Sequence, residues 1–176
     1  MRSIGALLAV SLLTITGCTH VISEESMRLV DRSITFQSLK AHPDQYLGHY
    51  VLLGGAVATV NNAKQAAQME VVEFKLDSDS MPDESYSSGG RFLAQTGGFL
   101  DPLVYKSGRL VTIVGEVKGH KSMPIDQVEY DYPIVAIREI HLWRAQDTRY
   151  YPYPYYYPYY PYDYWWRPYR PWPYRW

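Results

Sequence analysis

Apolar residues alternate with polar or small residues along the middle of the chain, a pattern that predicts half-buried β-strands. Clusters of glycine, proline, serine and aspartate separate these runs, and such clusters form turns and loops. Residues 78–90 form one loop of this kind. Five strands are predicted, over residues 50–60, 70–77, 91–96, 110–118 and 133–143.

The first two predicted strands each have one apolar face at a period of two. In the first strand the Gly54-Gly55 pair suggests a bulge or a bend, because glycine inside a strand often marks one. In the second strand charged residues alternate with apolar ones, so the two sets lie on opposite faces. The apolar faces consist of Val51, Leu53, Val57 and Thr59 in the first strand and of Val72, Phe74 and Leu76 in the second, with Glu73, Lys75 and Asp77 opposite.

The final predicted strand changes parity along its length. A bulge near Arg138 would bring its two apolar sets to the same face, because a bulge adds one residue to one strand of a pair. The sets are Val135 and Ile137, on the parity of Glu139, and Ile140 and Leu142, on the other parity. In the fourth strand Val111, Ile113 and Val117 point inward around Gly115, and the turn before it, residues 97–102, tucks Phe99 or Leu100 into the core.

This pattern predicts an all-β, mainly antiparallel fold. Glycine in the middle of two strands relieves crowding where a sheet coils tightly, which favours a small closed or partly closed barrel. We predict an OB-like barrel of five to six strands over residues 34–149, with a β-sandwich as the second choice. Residues 34–39 form one or two helical turns, which stop at His42-Pro43 because the residue before proline avoids helical geometry.

The start of the chain predicts a secretory signal over residues 1–17. Arg2 precedes an apolar stretch, residues 4–15, that is shorter than the roughly 20 apolar residues needed to span a bilayer. Ile15-Thr16-Gly17-Cys18 then resembles the bacterial lipobox, in which an aliphatic residue and two small residues precede a cysteine. We expect cleavage after Gly17 and lipid attachment to Cys18, which is the only cysteine in the sequence.

The lipid on Cys18 defines the expected location. A diacylglycerol group and an amide-linked acyl chain together give durable anchoring, whereas one chain binds only marginally. Thr19 follows the cysteine where an aspartate would usually signal retention in the inner membrane, and this favours the outer membrane. Residues 18–33 are polar and predict a short tether, and we expect the domain beyond it to face the periplasm.

The last part of the chain, residues 150–176, consists almost entirely of Tyr, Pro, Trp and Arg. Proline at this density prevents both a helix and a central strand, so an extended, polyproline-like tail is predicted. Its rings could stack on sugars or lie at lipid headgroups while its arginines meet phosphates; the alternative is a low-complexity tail without a specific contact. The candidate contact residues are Trp165, Trp166, Arg167, Arg170, Trp172, Arg175 and Trp176.

Charge and motifs argue against several classes of function. A formal net charge of −1 gives no reason to expect nucleic acid as a partner, because duplex binding depends on clustered Lys and Arg. The five histidines lack metal-ligand spacing, and the Asp77-Ser78-Asp79 stretch with Asp83 lacks the glycine and glutamate of a calcium loop. The sequence contains no nucleophile elbow, phosphate loop or dinucleotide fingerprint. We therefore expect no metal, no cofactor beyond the covalent lipid, and no enzymatic activity.

An ordered series of motifs resembles the Slp family of starvation-associated outer-membrane lipoproteins. The resemblance implies an outer-membrane location, a β-rich domain, and a role in envelope integrity or stress tolerance without an established enzymatic activity. It carries over one functional residue, Cys18. The motifs are the lipobox cysteine, the Tyr-Leu-Gly turn and Gly-Gly strand within residues 46–55, Gly98-Phe99-Leu100-Asp101-Pro102, Leu110-Val111-Thr112-Ile113-Val114-Gly115, Tyr132-Pro133, Trp143, and the aromatic tail.

Three functional hypotheses follow. The first is a non-enzymatic envelope protein, tethered by Cys18, that braces or binds peptidoglycan, lipopolysaccharide or another envelope protein. The second is an OB-type barrel that holds an oligosaccharide or a small molecule on its open face; Tyr50, Phe74 and Tyr105 are the few aromatic residues outside the tail that would serve it. A hydrolytic enzyme is third, and a cleft that gathers His, Asp and Ser would favour it.

Overall fold

The computed structural model describes residues 21–64, 66–125 and 127–144. Two short helices and a 3₁₀ turn precede five strands. They are α1 (Glu24–Leu29), α2 (Phe36–Ala41), the 3₁₀ turn (Pro43–Tyr46), β1 (Tyr50–Asn62), β2 (Ala67–Glu73), β3 (Gly90–Thr96), β4 (Leu110–Ile125) and β5 (Val128–Leu142). The predicted signal, residues 1–17, and the predicted tail, residues 150–176, lie outside the described residues.

The five strands close into one barrel in the order β1-β2-β3-β5-β4. Neighbouring strands are antiparallel except β3 and β5, which are parallel. Five strands closed in this way form an OB-like barrel, so the predicted fold is confirmed. β4 and β5 are longer than predicted and continue past the barrel as a hairpin whose tip pairs Ile125 with Val128.

Helix α2 packs two apolar side chains into the barrel. Thr35 caps the helix: its Oγ1 accepts the amide of Ser38 at 3.1 Å, and the Ser38 Oγ accepts the amide of Thr35 at 3.0 Å. Phe36 and Leu39 are buried in the barrel core. The predicted helical turns are therefore confirmed, with a shift of two residues toward Pro43.

The tether predicted over residues 18–33 is wrong in its described part. Ser23 caps α1 by accepting the amide of Ser26 at 3.3 Å, and Ile22 is only 1% exposed. After the helix, Val30 forms a bridge with Tyr50 at the start of β1. Residues 21–33 thus pack on the barrel because a capped helix and a buried isoleucine hold them there. Residues 18–20 lie outside the described part of the chain.

The bulge predicted near Arg138 is present. Val114 of β4 pairs with Glu139 of β5, and the next residue, Gly115, pairs with Ile137, which leaves Arg138 as the extra residue. The bulge brings both apolar sets of β5 to the interior. Val135 lies within the core, and Ile137, Ile140 and Leu142 pack against it.

The bulge in β1 lies at Ala58 instead of at the Gly54-Gly55 pair. Val57 pairs with Val71, and Thr59 pairs with Glu70, so Ala58 is the extra residue. The change of parity turns Thr59 to solvent and brings Val60 against the core, which corrects the predicted face. Gly55 serves close strand approach, because a Cβ there would lie 1.9 Å from the carbonyl oxygen of Val72.

The predicted inner face of β2 is also wrong. The buried residues are Ala67, Met69, Val71 and Glu73, whereas Val72 faces outward. Outside the barrel, Leu76 and Pro82 of the following loop occupy the space where a Cβ on Gly54 would lie. Apolar residues thus also lie on the outside of the barrel, at Gly54 of β1, so the alternation around β2 did not show which face is the core face.

Candidate functional site

Glu139 on β5 holds the beginning of the described chain. Its Oε1 accepts the backbone N–H of Ser23 at 2.9 Å, and its Oε2 accepts the Ser23 hydroxyl at 2.6 Å. Burial raises the pKa of Glu139, but hydrogen bonds from Ser23 and Ser26 outweigh it and hold the pKa below its ordinary value. Ser23 is therefore fixed to the barrel wall by a carboxylate that is ionised at neutral pH.

A second contact and a third strengthen this attachment. The bulged Arg138 forms a 2.6 Å ion pair with Glu25 in α1. At the other end of the segment the amide of Asp31 donates to the carbonyl of Tyr50 at 2.9 Å. Cys18 precedes Ser23 by five residues, which span at most about 17 Å when extended. The candidate lipid site is thus close in the chain to the wall of the barrel, although Gly17 and Cys18 are themselves outside the described residues.

Trp143 fixes the point where the chain leaves the barrel toward its aromatic tail. Its backbone N–H donates to the carbonyl of Leu110 at 3.0 Å, and Arg109 donates to its carbonyl at 2.7 Å. The indole is only 7% exposed and lies edge-on to His141, with 4.7 Å between the rings. The candidate contact residues of the tail, from Trp165 to Trp176, lie outside the described part of the chain.

Polar side chains on the outer face of β2 and β3 pair with one another. Gln95 donates to the side-chain oxygen of Gln68 at 3.1 Å, and Arg91 forms a 2.6 Å ion pair with Glu70. Tyr132 of β5 donates to the same Glu70 oxygen at 3.1 Å. The hydrogen bond to Glu70 raises the pKa of Arg91, and burial together with Glu70 raises the pKa of Tyr132. This face corresponds to the strands that bind oligosaccharides and oligonucleotides in OB folds.

Two tyrosines of β5 border this polar face. The rings of Tyr130 and Tyr132 meet edge to face with 4.8 Å between centroids, and the Tyr130 hydroxyl accepts the amide of Arg91 at 2.8 Å. Lys40 of α2 lies 4.9 Å from the centre of the Tyr130 ring. Sequence reasoning gave neither tyrosine a binding role, because both precede the predicted start of the last strand. Tyr130 is partly buried, as are the residues that sequence reasoning named instead, Tyr50, Phe74 and Tyr105, whereas Tyr132 is only 2% exposed.

A polar cleft of about 380 Å³ lies between α2, the 3₁₀ turn and the β4–β5 hairpin. His120 and Asp44 face each other across it at 3.3 Å. Ser122 on the hairpin bonds to Asp131 instead of to a histidine. The cleft therefore gathers His, Asp and a nearby Ser without the serine–histidine contact of a hydrolytic site. Its lining residues are Lys40, Ala41, His42, Pro43, Asp44, Gln45, His120 and Asp131.

The other polar motifs considered from the sequence form local contacts. The Asp77 carboxylate accepts the amides of Asp79 and Met81 at 2.8 and 2.9 Å, which closes a turn of the loop after β2. Across the described ranges, no three His, Cys, Asp or Glu side chains group as metal ligands. No helix there is both long and apolar enough to cross a membrane.

Comparison with known protein families decides the identity of this lipobox-bearing barrel. Residues 15–172 match the outer membrane lipoprotein Slp family. The chain belongs to the Slp family. Outer-membrane location and the lipoprotein character of the chain follow from that membership, and the resemblance seen in the sequence is confirmed.

Two Slp-family relatives come from Escherichia coli (strain K12). The outer membrane protein Slp is 32% identical over 114 residues, which cover 65% of this chain and 60% of that protein. The uncharacterized lipoprotein YeaY is 32% identical over 101 residues, which cover 57% of this chain and 52% of that protein. The chain thus spans less than two thirds of either relative. Neither name assigns an enzymatic activity.

Among solved structures, similarity extends to small single-stranded DNA-binding proteins. The protein from Streptomyces coelicolor has a TM-score of 0.37 and 12% identity, over 56% of this chain and 97% of that one. The mitochondrial protein Rim1 from S. cerevisiae has a TM-score of 0.35 and 10% identity, over 55% of this chain and 96% of that one.

Proposed function

We propose that this Slp-family lipoprotein is cleaved after Gly17, anchored through acylated Cys18, and braces or binds components of the envelope without enzymatic activity. The hydrogen bonds from Ser23 to Glu139 carry this proposal, because they fix the chain to the barrel five residues after the cysteine. A lipid on Cys18 would therefore hold the barrel close to the membrane surface, without a long flexible linker between them.

Substitution of the cysteine tests the anchor. We expect Cys18→Ala to remove the lipid and to release the protein from the outer-membrane fraction, whereas Thr19→Ala, at the adjacent position, retains both. Mass spectrometry of the native N-terminal peptide should find a chain that begins at Cys18 and carries a diacylglycerol group and a further acyl chain. An unmodified Cys18, or a C18A variant found in the outer-membrane fraction in the same amount as the native protein, contradicts the proposal.

The aromatic tail is the proposed contact with peptidoglycan or lipopolysaccharide. It follows Trp143, whose backbone and indole are bound to the barrel, so the tail leaves from a fixed point. Deletion of residues 150–176 should lower retention of the protein on purified peptidoglycan or lipopolysaccharide. Two matched variants separate the chemistry: one replaces Arg167, Arg170 and Arg175 with Gln, and the other replaces Trp165, Trp166, Trp172 and Trp176 with Leu. Unchanged retention in the deletion variant removes this role.

The orientation of the barrel is part of the proposal. We infer that it faces the periplasm, which matches a partner such as peptidoglycan. A protease added to intact cells should leave the protein uncut and should cut it after the outer membrane is permeabilised. Digestion in intact cells would place the barrel on the cell surface instead.

The alternative function is an OB-type ligand module. The observation that favours it is the outer face of β2 and β3, where two amides, an arginine and the partly exposed Tyr130 lie together and offer the contacts that sugars use. Titration with soluble peptidoglycan fragments should then shift the side-chain amide signals of Gln68 and Gln95 in nuclear magnetic resonance spectra. Gln95→Ala should weaken binding, while Lys121→Ala on the hairpin should not. Unshifted amide signals contradict this alternative.

A further inference from the structure

The loop between β3 and β4 presents apolar side chains to solvent. Phe99 is 74% exposed, Leu103 is 76% exposed and Val104 is 44% exposed. The turn prediction had one of Phe99 and Leu100 in the core, and the buried residue is Leu100, at 5%. Exposed apolar side chains concentrated in one loop commonly mark a contact with a membrane or a protein.

The loop is held in this conformation by specific hydrogen bonds. The side-chain amide of Asn62 donates to the carbonyl of Leu100 at 2.8 Å, and its oxygen accepts the amide of Leu100 at 3.0 Å. The Asp101 carboxylate accepts the amide of Leu103 at 2.8 Å, and the Asp101 carbonyl accepts the amide of Tyr105 at 2.9 Å. Phe99 and Leu103 are therefore exposed by a well-bonded turn.

The loop leads into β4 next to the C-terminal end of the described chain. It ends at Leu110, whose carbonyl accepts the amide of Trp143 at the exit toward the tail. Glu139, which binds Ser23, precedes Trp143 by four residues, or about 13 Å along a strand. The chain between Ser23 and Cys18 spans up to about 17 Å when extended, which is enough to cover that distance.

Basic residues accompany the apolar ones. Lys64 follows Asn62 by two residues, Lys106 follows Tyr105, and both lysines are exposed. Exposed lysines next to apolar side chains suit a bilayer surface, because the apolar groups enter the interface while the ammonium groups meet lipid phosphates.

We propose that residues 97–108 form a second membrane contact, in which Phe99 and Leu103 enter the interfacial layer of the bilayer that holds the lipid anchor. This inference rests on the proposed anchoring through Cys18. With two points of attachment the barrel has a defined orientation, and the long β4–β5 hairpin, whose tip is about 50 Å of strand away from Leu110, points away from the lipid.

Site-directed spin labelling tests the loop contact on the lipidated full-length protein. The lipid occupies the thiol of Cys18, so Phe99→Cys or Leu103→Cys gives one labelling site in each variant. The matched control is Val128→Cys, at the hairpin tip, where the native side chain is 67% exposed. In vesicles of phosphatidylethanolamine and phosphatidylglycerol, labels at 99 and 103 should be several-fold less accessible to a water-soluble nickel chelate, and more accessible to oxygen, than the label at 128.

The outcomes separate the two proposals. A protein that fails to float with the vesicles contradicts the anchor itself. A protein that floats, but whose label at 99 is as accessible to the nickel chelate as the label at 128, overturns the loop contact and leaves the anchor standing. Spin–spin broadening at 99 would assign the loop to a second copy of the chain. If the label at 99 is shielded in detergent, and this shielding disappears when residues 150–176 are deleted, the loop contacts the tail. Either of these last two results overturns the inference.

Discussion

The indole Nε1 of Trp143 donates a 2.9 Å hydrogen bond to Oγ1 of Thr112, a side chain with no exposed surface. Thr112 in turn donates to the carbonyl of Ser80 at 2.6 Å. One hydroxyl thus joins the end of β5, the beginning of β4 and the loop that covers the outside of the barrel. A buried polar group is tolerated here because both of its partners are present.

Replacing Thr112 with valine should destabilise the barrel by about 1–3 kcal/mol, because the Trp143 N–H and the Ser80 carbonyl then lack their partner. Thr112→Ser retains the hydroxyl and is the control, with a smaller loss. Urea unfolding followed by far-ultraviolet circular dichroism measures both variants. Equal midpoints for T112V and the native protein would show that the hydroxyl contributes nothing.

Glu73 should make the barrel less stable as the pH rises. Its side chain is 8% exposed, and burial raises its pKa, partly opposed by the Gly89 amide, which donates to its Oε2 at 3.0 Å, and by Lys75. As pH rises above the ordinary value of 4.5, the unfolded carboxyl releases its proton first, so the folded state loses stability until its own raised pKa is passed.

Glu73→Gln removes this titration and retains an oxygen for the Gly89 amide. We expect the variant to be more stable than the native protein at neutral pH, with the difference vanishing below the ordinary pKa of glutamate. Thermal unfolding across the pH range measures the effect, and Glu129→Gln, on the exposed part of β5, serves as the control. A constant difference at all pH values contradicts the assignment to Glu73 ionisation.

Gly55 should tolerate no side chain. A Cβ there would meet the backbone of Val72 at 1.9 Å, so Gly55→Ala must separate β1 from β2, at a cost of about 1–3 kcal/mol or more. Gly97→Ala is the matched control, since nothing lies within 4 Å of a Cβ at that position. Thermal unfolding measures both variants. Equal melting temperatures for G55A and G97A would show that the strands accommodate the added methyl group without cost.

The attachment of α1 should weaken when either partner of the Ser23–Glu139 pair is changed. Ser23→Ala removes the helix cap and both contacts of the hydroxyl, at a cost of about 0.5–2 kcal/mol local to α1. Hydrogen exchange of the α1 amides should then become faster. Arg28→Ala is the control, because its ion pair with Glu24 is about four-fifths exposed on both sides and contributes little.

The same contact should depend on pH in the opposite direction to Glu73. The pKa of Glu139 lies below its ordinary value of 4.5, so its contribution is present above that pH and is lost as the pH falls through the folded value. Glu139→Gln should raise the exchange of the α1 amides at neutral pH, and the difference from the native protein should shrink in acid. An E139Q effect that persists unchanged in acid would contradict a role for the charge.

Local patterns were sufficient for much of the fold. The five strands in their order along the chain, the helical turns before Pro43, and the parity change that requires a bulge at Arg138 are properties of neighbouring residues, and each is confirmed. Strand ends were predicted less well: β2 ends at Glu73 instead of Asp77, and β4 and β5 extend beyond their predicted bounds. The lipobox at Cys18 likewise depends on four consecutive residues. Such patterns can be recognised in a sequence because the period of apolar residues in a helix or a strand depends on backbone geometry, which is the same in every fold.

Contacts between distant segments settled the remainder. Alternation along β2 separates two faces without showing which is inside. In the barrel Leu76 and Pro82 lie on the outside, at Gly54 of β1, and Glu73 lies on the inner face of β2. The packing of residues 21–33 likewise depends on Glu139, more than a hundred residues away. Strand order and the partners of buried polar groups are fixed only when the barrel closes. Closure brings together residues that are far apart in the sequence, and the sequence around each residue does not show which distant residue it will contact.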